Sequence, residues 1–208
     1  MGLMEGVKMT VFMFLVVIVA SLPLGFLVTL IARSRIAPLR WFAMGFIYVM
    51  RGTPLLLQLL FIYYGLPYLP VVGPLLTFDR LTAAVIGFVL NYAAYFAEIY
   101  RGGLMAVDRG QYEAAQVLGM NKFQTTFKVV LPQMFRVALP TITNESVTLV
   151  KDTSLLYAVS VPELLHFTKA TVSSTADPTP FLVAAIIYLV MNTLLTLLFK
   201  RVEKKLEF

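Results

Sequence analysis

The sequence predicts an all-α, polytopic membrane protein with five transmembrane helices. Of its 208 residues, 59% are hydrophobic and only 13% are charged, and the mean hydropathy is +0.83. A soluble domain usually carries about 25% charged residues. The hydrophobic residues form five runs, each long enough for a helix to cross a hydrocarbon core of about 30 Å. We therefore expect a single transmembrane domain that covers residues 1–208.

The first two runs differ in continuity. Residues 9–32 form an uninterrupted run. A cleaved signal peptide is the alternative, but its apolar core would be about 7–15 residues long, and no small-residue cleavage site follows this run. The second run, residues 41–66, is interrupted at residues 51–54, Arg-Gly-Thr-Pro, where glycine and proline break the helical hydrogen-bond ladder. This pattern predicts an interfacial helix, a break, and a crossing helix that begins near Thr53.

The rest of the chain contains three more runs and their connections. These spans are expected at residues 81–105, 132–150 and 181–199. Residues 67–80 are rich in proline and residues 173–180 are polar, so both are expected to be exposed loops. Residues 155–167 are apolar but short and are broken at Pro162. We expect them to form a partial or tilted helix that packs on the fourth span.

The distribution of basic residues predicts the orientation. With the N-terminus outside, only Lys8, Arg80 and Lys169 fall on the outer side. Twelve basic residues then fall on the cytoplasmic side: Arg33, Arg35, Arg40, Arg101, Arg109, Lys122, Lys128, Arg136, Lys200, Arg201, Lys204 and Lys205. Because cytoplasmic loops carry the excess of Lys and Arg, we expect the C-terminus in the cytoplasm.

Composition excludes several classes of function. The chain has no cysteine, and its one histidine, His166, excludes a multi-histidine metal site. The net charge of +6 could indicate nucleic-acid binding, but the basic residues lie at the ends of apolar runs, as topology requires. No glycine-rich Walker loop is present, so we expect no ATP binding by that route. We expect no nucleic-acid partner, no cofactor, no metal and no catalytic residue.

Polar residues form two stripes inside the predicted spans. Their members are Asn91, Tyr95 and Glu98 (i, i+4, i+7) on the third span and Glu145, Thr148 and Asp152 (i, i+3, i+7) on the fourth. At about 1.5 Å per residue, Glu98 lies roughly 10 Å and Glu145 roughly 14 Å from the cytoplasmic ends of their helices. The two carboxylates are therefore expected to line one cavity at similar depth.

An acidic residue at the centre of a transmembrane helix raises the free energy of membrane insertion by about 2.5–3.5 kcal/mol. Its presence there therefore requires a compensating interaction. Water, a cationic partner or a cationic substrate would each provide it. The alternative is internal pairing, of Glu98 with Arg101 and of Asp152 with Lys151 or Arg51. Glu145, in the middle of the fourth span, has no obvious basic neighbour on its own helix.

The break at residues 51–54 suggests a second kind of contact. A helix that starts there would direct unpaired N–H groups and its positive dipole end into the cavity, which suits a carboxylate. A plain structural kink is the alternative. The substrate-contacting residues are therefore expected to be Glu98, Glu145, Asn91, Tyr95, Asn144, Thr148 and Thr53.

Residues 106–131 form the longest polar segment and have the layout of a docking loop. Asp108 can cap a short helix, with Gln111 as its capping-box partner. Gly119 supplies the left-handed turn that ends this helix, and residues 122–128 form a second one. A small, smooth contact surface on the first helix is expected from Ala114, Ala115 and Leu118.

This loop resembles the cytoplasmic signature loop of ABC-importer permeases. The family pattern is Glu-Ala-Ala, three residues, Gly, nine residues, Ile, one residue, Leu-Pro. The matching residues are Glu113, Ala114, Ala115, Gly119, Val129, Leu131 and Pro132, with valine in place of isoleucine as the one departure. Residues 51–59, 91–103 and 139–155 also resemble stretches of polar amino-acid permeases of the histidine, arginine and glutamine kind, so the similarity covers most of residues 45–160.

The resemblance implies a type I ABC-importer permease in a prokaryotic inner or plasma membrane. Such permeases work as a pair of transmembrane subunits, here expected to be a homodimer, on two ATPase subunits that hydrolyse the ATP, and they receive cargo from a solute-binding protein. Glu113, Ala114, Ala115 and Gly119 would then couple the permease to the ATPase. The chain itself would be a transport subunit and not an enzyme.

The cargo implied by the family is a polar amino acid, which brings an α-ammonium and an α-carboxylate. One acid can take the ammonium, which leaves the other for a basic side chain and favours arginine, lysine or histidine. A secondary transporter that carries protons on Glu98 or Glu145 is a rival, but no inverted repeat is visible. An intramembrane hydrolase is a third possibility, and it would need a nucleophile with its base or paired aspartates at one depth.

Overall fold

The computed structural model describes residues 2–206, and these are all-α as predicted, without a strand. The α-helices of this part of the chain are α1 (Gly2–Ala32), α2 (Ala37–Gly52), α3 (Leu55–Leu60), α4 (Arg80–Ala106), α5 (Arg109–Val117), α6 (Lys122–Gln124), α7 (Leu131–Asp152), α8 (Leu164–Thr175) and α9 (Thr179–Leu206). Shorter π or 3-10 turns occupy Phe61–Gly65, Leu66–Tyr68, Gly73–Leu76, Thr125–Val130 and Thr153–Val159.

Three of the described helices are long and apolar enough to cross a membrane, namely α1, α4 and α9. Helix α2 and the helical stretch Leu55–Tyr68 meet the same condition as a pair, but they are bent by 108° at the break. Helix α7 has 22 residues, which at about 1.5 Å per residue suffices for a crossing. Its polar residues set it apart from the three apolar helices, so the count of five spans stays a prediction.

Several boundaries differ from those predicted. Helix α1 begins well before the apolar run, because residues 2–8 continue the same helix. The helix expected at residues 155–167 is divided, with the predicted break at Pro162: a 3-10 turn ends at Val159, Ser160 adopts a left-handed φ of 58°, and α8 begins only at Leu164. Helix α8 then runs to Thr175, so the loop predicted at 173–180 shortens to three residues.

Helices α1 and α4 pack together so closely that a glycine is required. A Cβ on Gly25 would lie 2.8 Å from the carbonyl oxygen of Ala93. The hydroxyl of Thr29, one turn later, donates to the carbonyl oxygen of Ala97 at 3.0 Å. Small residues at helix contacts let backbones approach in this way within a membrane. Helix α4 thus becomes the central helix against which the others are arranged.

The start of α4 lies at the opposite end from the polar loop and is fixed by a capping carboxylate. Asp79 accepts hydrogen bonds from the backbone N–H groups of Leu81 at 3.0 Å and Thr82 at 3.1 Å. The Thr82 hydroxyl also donates to this carboxylate, and together these bonds hold the pKa of Asp79 below its ordinary value.

A second close approach joins α4 to α7. A Cβ on Gly103 would lie 2.9 Å from the carbonyl oxygen of Met134 and 3.1 Å from its Cγ. Met134 lies near the start of α7, and no non-helical residue separates α6, the π turn Thr125–Val130 and α7. The chain from Lys122 to Asp152 is therefore one continuous helical run that contacts α4 at Gly103.

Helix α9 is held to the rest of the molecule by two polar contacts, one in its first half and one near its C-terminal end. The Tyr188 hydroxyl donates to Glu163 at 2.9 Å, and the buried Thr143 hydroxyl donates to Glu203 at 2.5 Å. Glu163 is fully buried and caps α8 by accepting from the N–H groups of two residues in its first turn. Only 6% of the apolar window of α9 is buried, so most of this helix faces outward.

The contact at Gly103 can be tested with its neighbour as control. We expect Gly103→Ala to lower the thermal stability of the purified protein, because the new methyl group meets a backbone carbonyl, and overpacking costs about 1–3 kcal/mol. Gly102 has no atom within 4 Å of an added Cβ, so Gly102→Ala should leave stability unchanged or raise it slightly. Equal melting temperatures for the two variants would contradict the close packing.

Candidate functional site

The break between α2 and α3 is closed by two side-chain amides, Gln58 and Asn91, which we term the amide clasp. Helix α2 ends at Gly52 and the chain turns at Thr53 and Pro54, which confirms the predicted break. The side-chain nitrogen of Gln58 lies 2.9 Å from the carbonyl oxygen of Met50 and 3.1 Å from that of Thr53. Carbonyls freed by a break in a membrane helix need such donors, because lipid provides none.

Asn91 completes this clasp from α4. Its Nδ2 donates to the Met50 carbonyl and to the Gln58 side-chain oxygen, both at 3.0 Å, and the residue is 4% exposed. The Thr53 hydroxyl is also engaged, since it donates to the Val49 carbonyl at 2.8 Å and accepts from Gln58 at 2.8 Å. Asn91 and Thr53, both expected to contact substrate, therefore form the wall that shapes the site. The sequence analysis did not identify Gln58. The feature that could have indicated it is that Gln58 is a lone amide side chain within the apolar run 41–66.

The clasp positions Arg51, the last charged residue of α2, at the edge of a cavity. The centre of its guanidinium lies 5.4 Å from the centre of the Tyr95 ring, which is within range of a cation–π interaction. One guanidinium nitrogen lies 3.7 Å from Oε1 of Glu98. The side chain is 40% exposed, so it can exchange these neighbours for a ligand.

Glu98 is paired within its own helix. The Nε of Arg101 donates to Oε2 of Glu98 at 2.9 Å, and Nη2 of Arg101 donates to the other oxygen. This is the internal pairing that the sequence left open as an alternative. Glu98 thus lies between two arginines, with Arg101 as the closer partner.

The two acids of α7 are placed differently. Glu145 is half-buried, and among the contacts of the described residues it has no hydrogen bond or ion pair. Two turns further on the same face, Asp152 accepts a hydrogen bond from the buried Tyr92 hydroxyl at 2.8 Å. Neither carboxylate has a basic side chain within ion-pairing distance in the described part of the chain.

These residues line two adjoining cavities, which together we term the central cavity. Their volumes are about 440 Å³ and about 610 Å³, and they share Arg51, Tyr95 and Glu145. The smaller adds Glu98, Gly102 and Thr141, and the larger adds Thr53, Asn91, Thr148 and Asp152. Asn144 is exposed and lines neither cavity, because it projects from a different side of α7. The expectation that Asn144 contacts the substrate therefore stays a prediction.

The polar loop between α4 and α7 contains the helix that was predicted from its capping residues. Asp108 caps α5 by accepting from the N–H of Gly110 at 2.6 Å. Gly119 has a φ of +72°, and the bonds from Gly119 N–H to Gln116 and from Met120 N–H to Ala115 form a Schellman ending. The predicted start and end of this helix are confirmed.

Two details of the loop correct the sequence analysis. Gln111 makes no capping box, because its side-chain oxygen accepts from Gln133 of α7 at 3.0 Å. The capping box occurs instead at Asn121 and Gln124, whose side chains each bond the other's backbone N–H at 2.9 Å. Ala115 is 3% exposed and packs inside the loop, so the expectation that it forms part of the outer surface is wrong.

The outer surface of the loop is nevertheless apolar. Glu113 and Ala114 are exposed on α5. Their apolar neighbours are more exposed than is usual for a soluble surface, namely Val117 (87%), Leu118 (78%), Phe123 (69%) and Phe127 (54%). The rings of Phe123 and Phe127 are in contact, with centroids 4.3 Å apart and planes tilted by 34°. Exposed apolar patches of this kind mark protein or membrane interaction sites.

Comparison with known proteins gives the family. Residues 21–208 match the model of the binding-protein-dependent transport system inner membrane component. The chain belongs to this family. It is 39% identical over 87% of its length to the L-cystine transport system permease protein TcyB of Bacillus subtilis (strain 168), covering 76% of that protein. It is 35% identical over 99% of its length to the arginine transport system permease protein ArtQ of the same organism, covering 92%.

A solved structure agrees in fold. The crystal structure of an amino acid ABC transporter with histidines matches with a TM-score of 0.89 and 32% identity, over 98% of this chain and 93% of that one. The chain is thus the membrane-embedded permease subunit of an amino-acid ABC importer, and it is not itself an enzyme. The rival predictions of a secondary transporter and of an intramembrane hydrolase are set aside by this membership.

Proposed function

We propose that the permease imports a basic amino acid and binds it in the central cavity. This proposal rests on the charged side chains of the cavity that remain after Glu98 and Arg101 are paired. Glu98 is neutralised by Arg101, which leaves one cation, Arg51, and two carboxylates, Glu145 and Asp152. Arginine or lysine carries the complementary set of one carboxylate and two cationic groups.

The named cargoes of the relatives do not decide the matter, since they include both L-cystine and arginine. Cystine brings two carboxylates, whereas the cavity offers one cation, Arg51, that is not held at hydrogen-bond distance by an acid, since Glu98 lies 3.7 Å from it. A neutral amino acid would leave one of the two partly buried acids without a counter-charge, which is costly. The charge count therefore favours a basic cargo over either alternative.

Roles follow from position. We assign the side-chain cation of the cargo to Glu145, which has no other partner, and the α-ammonium to Asp152, which the Tyr92 hydroxyl orients. Arg51 takes the α-carboxylate. Glu98, expected from the sequence to contact the cargo, instead holds the two arginines in place in this proposal.

The loop surface is assigned to the ATPase partner. Glu113, Ala114 and the exposed apolar side chains around them would dock on that subunit, and Gly119 would set their position. The Gln111–Gln133 hydrogen bond joins this surface to α7, the helix that carries Glu145. A second copy of the permease and a solute-binding protein complete the assembly, with the N-terminus outside and the C-terminus in the cytoplasm.

The cargo assignment is tested by substituting the acids one at a time. A hydrogen bond to a charged group contributes about 1.5–3 kcal/mol, so Glu145→Gln should weaken arginine binding by roughly 10- to 150-fold. Binding of glutamine should change little. Equilibrium binding to the purified permease–ATPase complex measures both. Glu98→Gln is the matched control, expected to lower thermal stability without changing the preference for arginine over glutamine. Unchanged arginine affinity in folded Glu145→Gln protein would overturn the assignment.

The coupling assignment is tested at Gly119. Valine in a left-handed conformation costs about 1–2 kcal/mol and would displace the end of α5. We expect Gly119→Val to lower cargo-stimulated ATP hydrolysis and transport by roughly 5- to 30-fold, while equilibrium cargo binding stays near the wild-type value. Gln116→Ala, at an exposed site on the same helix, serves as control. Lost cargo binding together with normal ATPase stimulation would argue against this role.

The orientation is tested by cysteine labelling, since the chain has no native cysteine. Gln116→Cys on α5 should react with a membrane-impermeant thiol reagent only after the cells are opened, because the charge bias assigns the loop to the cytoplasm. Leu75→Cys, at an 82% exposed site in the connection before α4, should react in intact cells. The opposite labelling pattern would reverse the topology.

A further inference from the structure

The corner between α1 and α2 combines positive charge with exposed apolar surface. The chain reverses here through hydrogen bonds from Arg33 N–H to the Thr29 carbonyl at 3.2 Å and from Ile36 N–H to the Ser34 hydroxyl at 3.1 Å. Helix α2 then begins at Ala37. We term residues 33–42 the arginine corner.

The positive charge of this corner is not neutralised within the chain. Arg33 and Arg35 are exposed, Arg40 is half-buried, and none of the three forms an ion pair in the described part of the structure. The sequence explains why: no aspartate or glutamate occurs between Glu5 and Asp79. The corner therefore presents three cations to an external anion.

The apolar side chains alternate with these cations along the chain. Ile36 is 59% exposed, Leu39 is 47% exposed, and the rings of Trp41 and Phe42 are 67% and 77% exposed. Arginine beside tryptophan is typical of the boundary between headgroups and acyl chains. A soluble anion would satisfy the arginines but would leave this apolar surface in water.

We propose that the arginine corner is a binding site for an anionic phospholipid. The arginines hold the phosphate, and Trp41 and Phe42 lie against the glycerol and the first part of the acyl chains. Each basic residue near an anionic membrane surface contributes about fivefold in affinity, so three contribute on the order of 100-fold.

Helix α2 connects this site to the central cavity. Ala43 and Ile47 are buried against Val28 and Ala97, so the helix is anchored on α1 and α4 between its two ends. Arg40 and Arg51 lie eleven residues apart on it, a distance of about 16 Å along the axis. A lipid held at the first end steadies the position of Arg51 at the second. This consequence for cargo, unlike the lipid site itself, depends on the proposed function.

The test compares lipid retention by the whole permease–ATPase complex. Wild-type complex reconstituted in phosphatidylcholine nanodiscs with a minor fraction of phosphatidylglycerol should retain phosphatidylglycerol through delipidation, as measured by native mass spectrometry. The R33Q/R35Q/R40Q variant should retain on the order of 100-fold less. K200Q/K204Q/K205Q removes the same charge from the exposed end of α9 and should retain the wild-type amount. Excess glycerol phosphate, a soluble anion, should not displace the lipid.

Two further variants, R35Q and Glu145→Gln, complete the test. If the triple variant does not assemble, R35Q alone should lower retention about fivefold. Equal losses in both triple variants, or displacement by glycerol phosphate, would overturn the lipid site. Dissociation of the ATPase from R33Q/R35Q/R40Q with normal lipid retention would assign the corner to that partner instead. Glu145→Gln should leave phosphatidylglycerol retention unchanged, so a failure of the cargo assignment and a failure of the lipid site give different results.

Discussion

The structure depends on a requirement of the bilayer, that every backbone polar group inside it must be hydrogen-bonded. The Arg-Gly-Thr-Pro break frees the carbonyls of Met50 and Thr53 from the helical hydrogen-bond ladder. Gln58 and Asn91 satisfy them, and so the break can exist. A helix end that would otherwise be costly becomes a stable edge of the cavity, and Arg51 is held there.

The second organising feature is an unequal distribution of charge in that cavity. On α4, Glu98 is paired with Arg101. On α7, Glu145 faces open space and Asp152 accepts a hydrogen bond from the Tyr92 hydroxyl. Buried ion pairs contribute little to stability, but an unpaired buried acid is expensive. The cost of leaving Glu145 without a partner is reasonable in a transporter, because the cargo supplies the missing charge and makes occupied and empty states differ in energy.

Much of this was predictable from residues with a single local consequence. Glycine and proline located the break, and Asp108 and Gly119 located the ends of α5, because capping and left-handed turns are local chemistry. Contacts between distant segments were not predictable. Gln58 could not be matched to a carbonyl eight residues back, and the faces of Asn144 and Ala115 depended on helix rotation and tertiary packing. The periodicity of polar and apolar residues predicts which residues share a helix face, but not which other segment packs against that face.

The continuous helical run from Lys122 to Asp152 touches α4 at Gly103, and this contact is a pivot about which the run could tilt as a unit. Met134 divides it into twelve residues toward the loop and eighteen toward the far end of the cavity. A rigid tilt about that point moves the two ends in opposite directions, and the cavity end about 1.5 times as far. The position of one glycine therefore fixes how a rigid tilt of this helix would divide its motion between the loop and the cavity.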